Sequence, residues 1–217
     1  MAIACLSISL EATGRVLQSD QLSPEARQRL DAELARQEIR SAYRNSFRTE
    51  RAVGLDHFAD ARLMLGYTGY PHGKQDQLSY LELFELLIAN ADRPLGDPQA
   101  KAEMRVVLDR AGPLTKLLAP AIQATDEAVT RSEAKVRCLR VLNALLAHGT
   151  DGAKGVRIDD LSLPADATTD PFTGKPLQVK HSDAGWVVYS VGRNLQDDGG
   201  QFDEVADVGF GPVPVPK

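Results

Sequence analysis

The alternation of apolar and polar positions predicts a run of amphipathic helices followed by short strands. Ala2 to Leu17 reads as a helix, with Ile3, Leu6, Leu10, Val16 and Leu17 on one broad apolar face. Ser23-Pro24-Glu25 marks a helix start: a capping hydroxyl, a proline at the first helical position and an early acid suited to the helix dipole. Leu30 and Leu34, then Ile39, Tyr43 and Phe47 at four-residue spacing, extend that pattern towards Leu65, with Gly54 as the expected break. Gly66 to Lys74 reads as a loop. Gln75 to Asn90 reads as a helix with Leu78, Leu81, Phe84, Leu87 and Ile88 inward. Asp97-Pro98 starts another helix by the same capping logic, and Gly112-Pro113 and Pro120 are expected to break or kink the chain beyond it. Thr125-Asp126 is the expected opening of a last long helix ending at His148-Gly149, with Val136, Leu139, Leu142, Leu145 and Leu146 as its apolar stripe.

Beyond Gly149 the period changes. Asp170-Pro171 and Gly174 signal a turn. Leu177 to Lys180 and Trp186 to Ser190 read as strands joined by a five-residue hairpin loop, His181 to Gly185. Val205 to Phe210 adds a short third strand. The predicted fold class is therefore α+β: a mainly α-helical bundle followed by a small antiparallel β hairpin or sheet at the C-terminus. The expected division is a helical region over 1–124 and a helix with a small sheet and an acidic loop over 125–217.

Composition narrows the function classes. The 217 residues carry a net charge of -5, which argues against general nucleic-acid binding. Lys and Arg are interleaved with acids, as on solvated helix surfaces. Cys5 and Cys138 form no CxxC or Cys/His cluster and read best as two buried thiols, with a disulfide between them left open. The apolar start lacks a basic leader and is interrupted by Glu11 and Arg15, so as written the chain reads as neither exported nor membrane-spanning. It is also compatible with being the downstream part of a longer protein.

No GxSxG, Walker, HExxH or dinucleotide fingerprint is present, and no catalytic residue is assigned. His57 and His72 offer the only enzyme alternative, a hydrolase site on a helix and loop, and both read more simply as packing or loop residues. Arg48, Glu50 and Arg51 suggest a buried ion-pair knot that fixes helix packing. Trp186 and Tyr189 read as packing residues of the sheet.

Three elements near the C-terminus carry a family resemblance. They are Asp170-Pro171-Phe172-Thr173-Gly174-Lys175-Pro176, Tyr189-Ser190-Val191-Gly192, and Ala206-Asp207-Val208, with Asp198-Gly199-Gly200 between the last two. Together they resemble the end of type II secretion major pseudopilins. The chain more closely resembles a group of uncharacterised, membrane-anchored proteins common in planctomycete bacteria that carry this pseudopilin-like ending. Gln21-Leu22-Ser23, Phe47 to Ala52 and Arg140 to Leu145 extend the likeness upstream.

The resemblance implies a calcium ion in the acidic loop. Calcium takes several hard oxygens on a backbone that can curl around it. The implied ligands are Val191 through its carbonyl, Asn194 where the pattern has Asp, Asp198 and Asp207; Leu195 stands where the pattern has Gly. True pseudopilins begin with a long hydrophobic helix, whereas the polar helix from Asp126 to His148 precedes the segment here. The expected role is thus a non-enzymatic structural or interaction protein of the cell envelope, of unknown protein partner, reaching a membrane only through a segment outside this chain. The alternative is a secretion pseudopilin component.

Overall fold

The computed structural model describes residues 2–19, 22–64, 73–148, 156–203 and 206–213. The architecture is α+β: the chain is mainly helical and closes on a three-stranded antiparallel sheet. In order, the elements are α1 (Ala2–Ser19), α2 (Pro24–Ala35), α3 (Ile39–Met64), α4 (Gly73–Asn90), α5 (Pro98–Arg110), α6 (Pro113–Ala147), a 3-10 turn (Ile158–Asp160), α7 (Ala165–Thr168), β1 (Gln178–Ser182), β2 (Gly185–Ser190) and β3 (Val208–Val213). Two compact units emerge from the packing. One comprises residues 1–38, 94–96 and 127–217, the other residues 39–93 and 97–126.

The second unit is built on α3, α4, α5 and the first part of α6. Tyr43, Phe47, Tyr80 and Phe84 form its aromatic centre. The Tyr43 and Phe47 rings are 4.3 Å apart, and Phe47 meets Phe84 edge-on at 5.8 Å. Asp97 caps α5 by accepting from the amides of Gln99 and Ala100 at 2.8 and 3.0 Å.

The start of α6 is capped from a distance. The buried Asp76 carboxylate, on α4, accepts from the amides of Leu114 and Thr115 at 3.1 and 3.3 Å. Two otherwise orphaned helix donors are thereby satisfied. A side chain at Gly112 would collide with that carboxylate.

Several predicted boundaries move. The pattern from Leu30 to Phe47 is two helices rather than one, and they separate at residues 36–38, where Arg36 caps α2 and Gln37 turns back to the Leu34 carbonyl at 3.2 Å. Gly54 does not break α3. It leaves room for the Tyr80 ring, whose hydroxyl donates to the Glu50 carbonyl at 2.5 Å. Thr125-Asp126 opens no helix, because α6 already begins at Pro113 and continues through Pro120. Pro120 and Lys116 are both exposed, so water can take the Lys116 carbonyl that the proline leaves without an amide.

On α4 the buried positions are Asp76, Ser79, Tyr80, Leu83, Phe84 and Leu87, while Leu78 is 63% exposed. Arg48 and Glu50 are exposed, with Arg48 on Asn45 and Arg51 on Glu85, so the expected buried knot does not form. Residues 65–72, with His72 and most of the predicted Gly66 to Lys74 loop, lie outside the described residues, as does the side chain of His57, while residues 73 and 74 open α4 rather than close a loop.

In the first unit, the second part of α6 is buried on nearly every side. Val136, Cys138, Leu139, Val141, Leu142, Leu145 and Leu146 all lie in the core. The capping reading of Ser23 holds, with its hydroxyl accepting from the Ala26 amide at 3.2 Å. Helix α1 buries Leu10 and Leu17 but leaves Val16 45% exposed. Gly14 of α1 lies flat against the Phe210 ring of β3, where a side chain would overlap it. Lys135 of α6 holds Glu11 of α1 at 2.6 Å.

The sheet order is β1-β2-β3. Ser182 pairs directly with Gly185, so the hairpin turns on Asp183-Ala184 rather than on a five-residue loop. Gly185, with φ of 117°, supplies the left-handed geometry that so short a connection needs. Cys138 is a buried free thiol; the side chain of Cys5 lies outside the described residues.

Candidate functional site: the C-terminal acidic loop

The Asp-Pro motif organises this end of the molecule through one buried carboxylate. Asp170 Oδ1 accepts from the Phe172 amide at 2.8 Å, forming a local turn, and from the Ser190 hydroxyl at 2.7 Å. Oδ2 accepts from the Val191 amide at 3.2 Å. Around it the backbone closes: the Gly174 amide donates to the Asp170 carbonyl at 2.8 Å, and the Asp170 amide donates to the Lys175 carbonyl at 2.7 Å. Gly174, with φ of 72°, permits that reversal. Phe172 then drops into a core with Ala134 and Val208. The motif thus ties the turn before β1 to the end of β2.

Beyond β2 the chain curls. Gly192, Leu195, Gly199 and Gly200 all have positive φ, and Leu195, at 59°, is the one non-glycine among the described residues to do so. Ordered side-chain contacts hold the curl. The Tyr189 hydroxyl donates to Asp197 at 2.8 Å, and Lys180 lies 3.6 Å from the same carboxylate and over the Tyr189 ring. The hydroxyl and the Gly199 amide hold the Asp197 carboxyl below its ordinary range. Arg193 pairs with Glu127 of α6 at 3.2 Å, and Arg131 donates to the Asp203 carbonyl at 3.0 Å.

Asp207 is the centre of the loop. It is 0% exposed, and its two oxygens accept from the amides of Asp198 at 3.3 Å and Gly200 at 2.7 Å. Burial pushes its pKa up; the two amides oppose that, and the charges of Asp198 and Asp197 add to it. Asn194 donates to Asp198 at 2.6 Å and accepts from the Gln196 amide at 3.0 Å. Three of the four expected ligand positions, Asn194, Asp198 and Asp207, therefore share one hydrogen-bonded cluster. Val191 is buried just before it, with its amide on Asp170.

The donor set has two carboxylates and two neutral oxygens. Among the described residues no group of three or more His, Cys, Asp or Glu side chains is placed to hold a metal ion. A cation here would therefore rest on Asp198 and Asp207 together with carbonyl and amide oxygens, a composition that suits calcium better than a transition metal. Each Asp207 oxygen gives one acceptor position to an amide and keeps further lone-pair capacity.

Sequence reasoning singled out Asp207 but treated Asp170 as a turn residue. The signal for Asp170 was present in an Asp two residues before an apolar aromatic, the geometry of a side-chain-closed turn. Its second function, receiving β2 from twenty residues away, has no local signature. Among the described residues no helix is long and apolar enough to cross a membrane. No family model matches this chain, and the searches of curated proteins and of solved structures likewise give no match.

Proposed function

We propose that this chain is a non-enzymatic structural or interaction protein of the cell envelope, and that its C-terminal loop is a calcium-stabilised, pseudopilin-like element. The observation that supports this most is the buried Asp207 carboxylate at the hub of a curled acidic loop. Such a group carries an unfavourable charge that two amides only partly offset. A divalent cation on its outer lone pairs, shared with Asp198, Asn194 and the Val191 carbonyl, would relieve both the burial and the repulsion from Asp198. The left-handed backbone at Leu195, where the pseudopilin pattern has Gly, also favours the reading. The fold then acts as a closed surface offered to a protein partner, with the loop tied back onto β2.

A thermal melt in calcium, in magnesium and in chelator tests the ion. The expected result is a calcium-specific rise in melting temperature that grows with concentration, as mass action requires. Asp207→Ala should abolish that rise. A calcium-independent melt, or an undiminished rise in Asp207→Ala, overturns the assignment. The pseudopilin alternative predicts an encoded hydrophobic prepilin-like segment upstream, which the gene's upstream frame reveals directly.

A further inference from the structure

Away from the acidic loop, a groove of about 510 Å³ opens between the start of α2 and the last turns of α6. That size falls among small-molecule sites. Its lining is largely apolar, with Leu22, Leu146 and Leu163 among the residues, and it includes two arginines, Arg27 and Arg140. The two are held differently. Arg140 is paired with Asp31, its Nε and Nη2 donating to the two carboxylate oxygens at 2.8 and 3.3 Å.

Arg27, only 7% exposed, donates to the neutral side-chain oxygen of Asn143 at 3.2 Å, and Asn143 in turn donates to the Arg27 carbonyl at 3.0 Å. Among the described residues no carboxylate pairs with Arg27. Asp31 is the one acid among the lining residues, so the groove carries two cations against one anion.

Buried charges are ordinarily paired. A guanidinium has five N–H donors in a rigid fork that matches a carboxylate, and the bond to Asn143 uses one of them. Burial also holds the Arg27 pKa below its usual value, as expected where the charged form lacks a compensating anion.

We infer that this groove binds a small monocarboxylate with an aliphatic body, the carboxylate on Arg27 and the chain along Leu22, Leu146 and Leu163. One uncompensated positive charge matches a monoanion. A phosphate dianion would leave the groove net negative, and an alcohol or amine would leave Arg27 without an anion.

The test uses the full chain with octanoate, octan-1-ol and octylammonium, each titrated by calorimetry and by thermal shift. Octanoate should bind saturably at one site and raise the melting temperature, while octanol and octylammonium should do neither. Arg27→Gln should weaken octanoate by at least about tenfold, since a charged hydrogen-bonding partner is lost. Arg27 is buried and its replacement can unfold the chain, so Ala147→Phe serves as the second variant. Ala147 is an exposed lining residue, and a ring there fills the groove while leaving Arg27 in place. It should keep the unliganded melting temperature and lose octanoate binding. The inference is overturned by absent or non-saturable octanoate binding, by equal binding of octanol, or by full binding in folded Arg27→Gln or Ala147→Phe.

Discussion

Replacing Asp170 by Ala removes one buried carboxylate and leaves three donors facing it: the amides of Phe172 and Val191 and the hydroxyl of Ser190. The Ser190 hydroxyl can rotate, and it already accepts from the Gly192 amide at 3.3 Å. The two backbone amides cannot turn away. Each buried donor left without an acceptor costs roughly 1–3 kcal/mol, and bonds to a charged group lie at the stronger end. Asp170 is only 2% exposed, so water reaches the site only if the structure opens. The expected loss is roughly 3–5 kcal/mol, a large share of the ~5–15 kcal/mol typical of a folded domain. For a chain of this size it corresponds to a fall of roughly 6–20 °C in melting temperature.

Trp186, the single tryptophan of the chain, is buried in β2, the strand that ends in this network, and reports on the unfolding of its unit. Urea unfolding followed by its fluorescence gives the stability of this unit, with exposed Asp183→Ala as the control. Asp170→Asn retains one acceptor oxygen and should fall between wild type and Asp170→Ala. A loss below about 1 kcal/mol in Asp170→Ala would refute the carboxylate's role as the clasp between the Asp-Pro turn and β2.

Gly192 has φ of 65°, and a Cβ there would strike the Ala206 carbonyl oxygen, so Gly192→Ala should destabilise by roughly 2–4 kcal/mol; an unchanged urea midpoint would contradict the close approach. Asp76→Ala should cost roughly 2–3 kcal/mol and speed hydrogen exchange at the Leu114 and Thr115 amides, with slow exchange retained in the variant counting against the remote cap. Asp207 gives a pH signature in chelator. Its folded pKa is raised, so the folded state holds that proton more tightly than the unfolded chain does. The resulting stabilisation is complete below the unfolded Asp pKa and is lost as pH rises through the folded pKa. The stability of wild type minus Asp207→Asn should therefore fall with rising pH across that window, and a flat difference would remove the burial argument.

Helix starts were legible in the sequence because capping is local. Ser23 and Asp97 bind amides two or three residues ahead, and the following proline fixes the first turn, so a few letters contain the whole interaction. The central strand was legible for a similar reason, since β2 is a continuous run of apolar, β-branched and aromatic residues. Where a breaker residue had a tertiary use, the same reasoning misplaced the boundary. Gly54 makes room for Tyr80, and Pro120 sits where water can satisfy the carbonyl it frees; the real interruption at residues 36–38 contains neither Gly nor Pro.

The curl of the acidic loop was visible in its glycines, and Asp207 in its family-like ending. The burial of Asp207, Asp170 and Asp76 was not, because each receives at least one amide from seven to thirty-nine positions along the chain. Nor could helical spacing reveal that α1 packs against β3, or that Arg27 and Asn143, separated by 116 positions, would meet in one groove. Sequence determines what neighbouring atoms can satisfy among themselves. Which charges are taken out of water, and which acceptors remain to compensate them, is decided only when distant segments exclude solvent together.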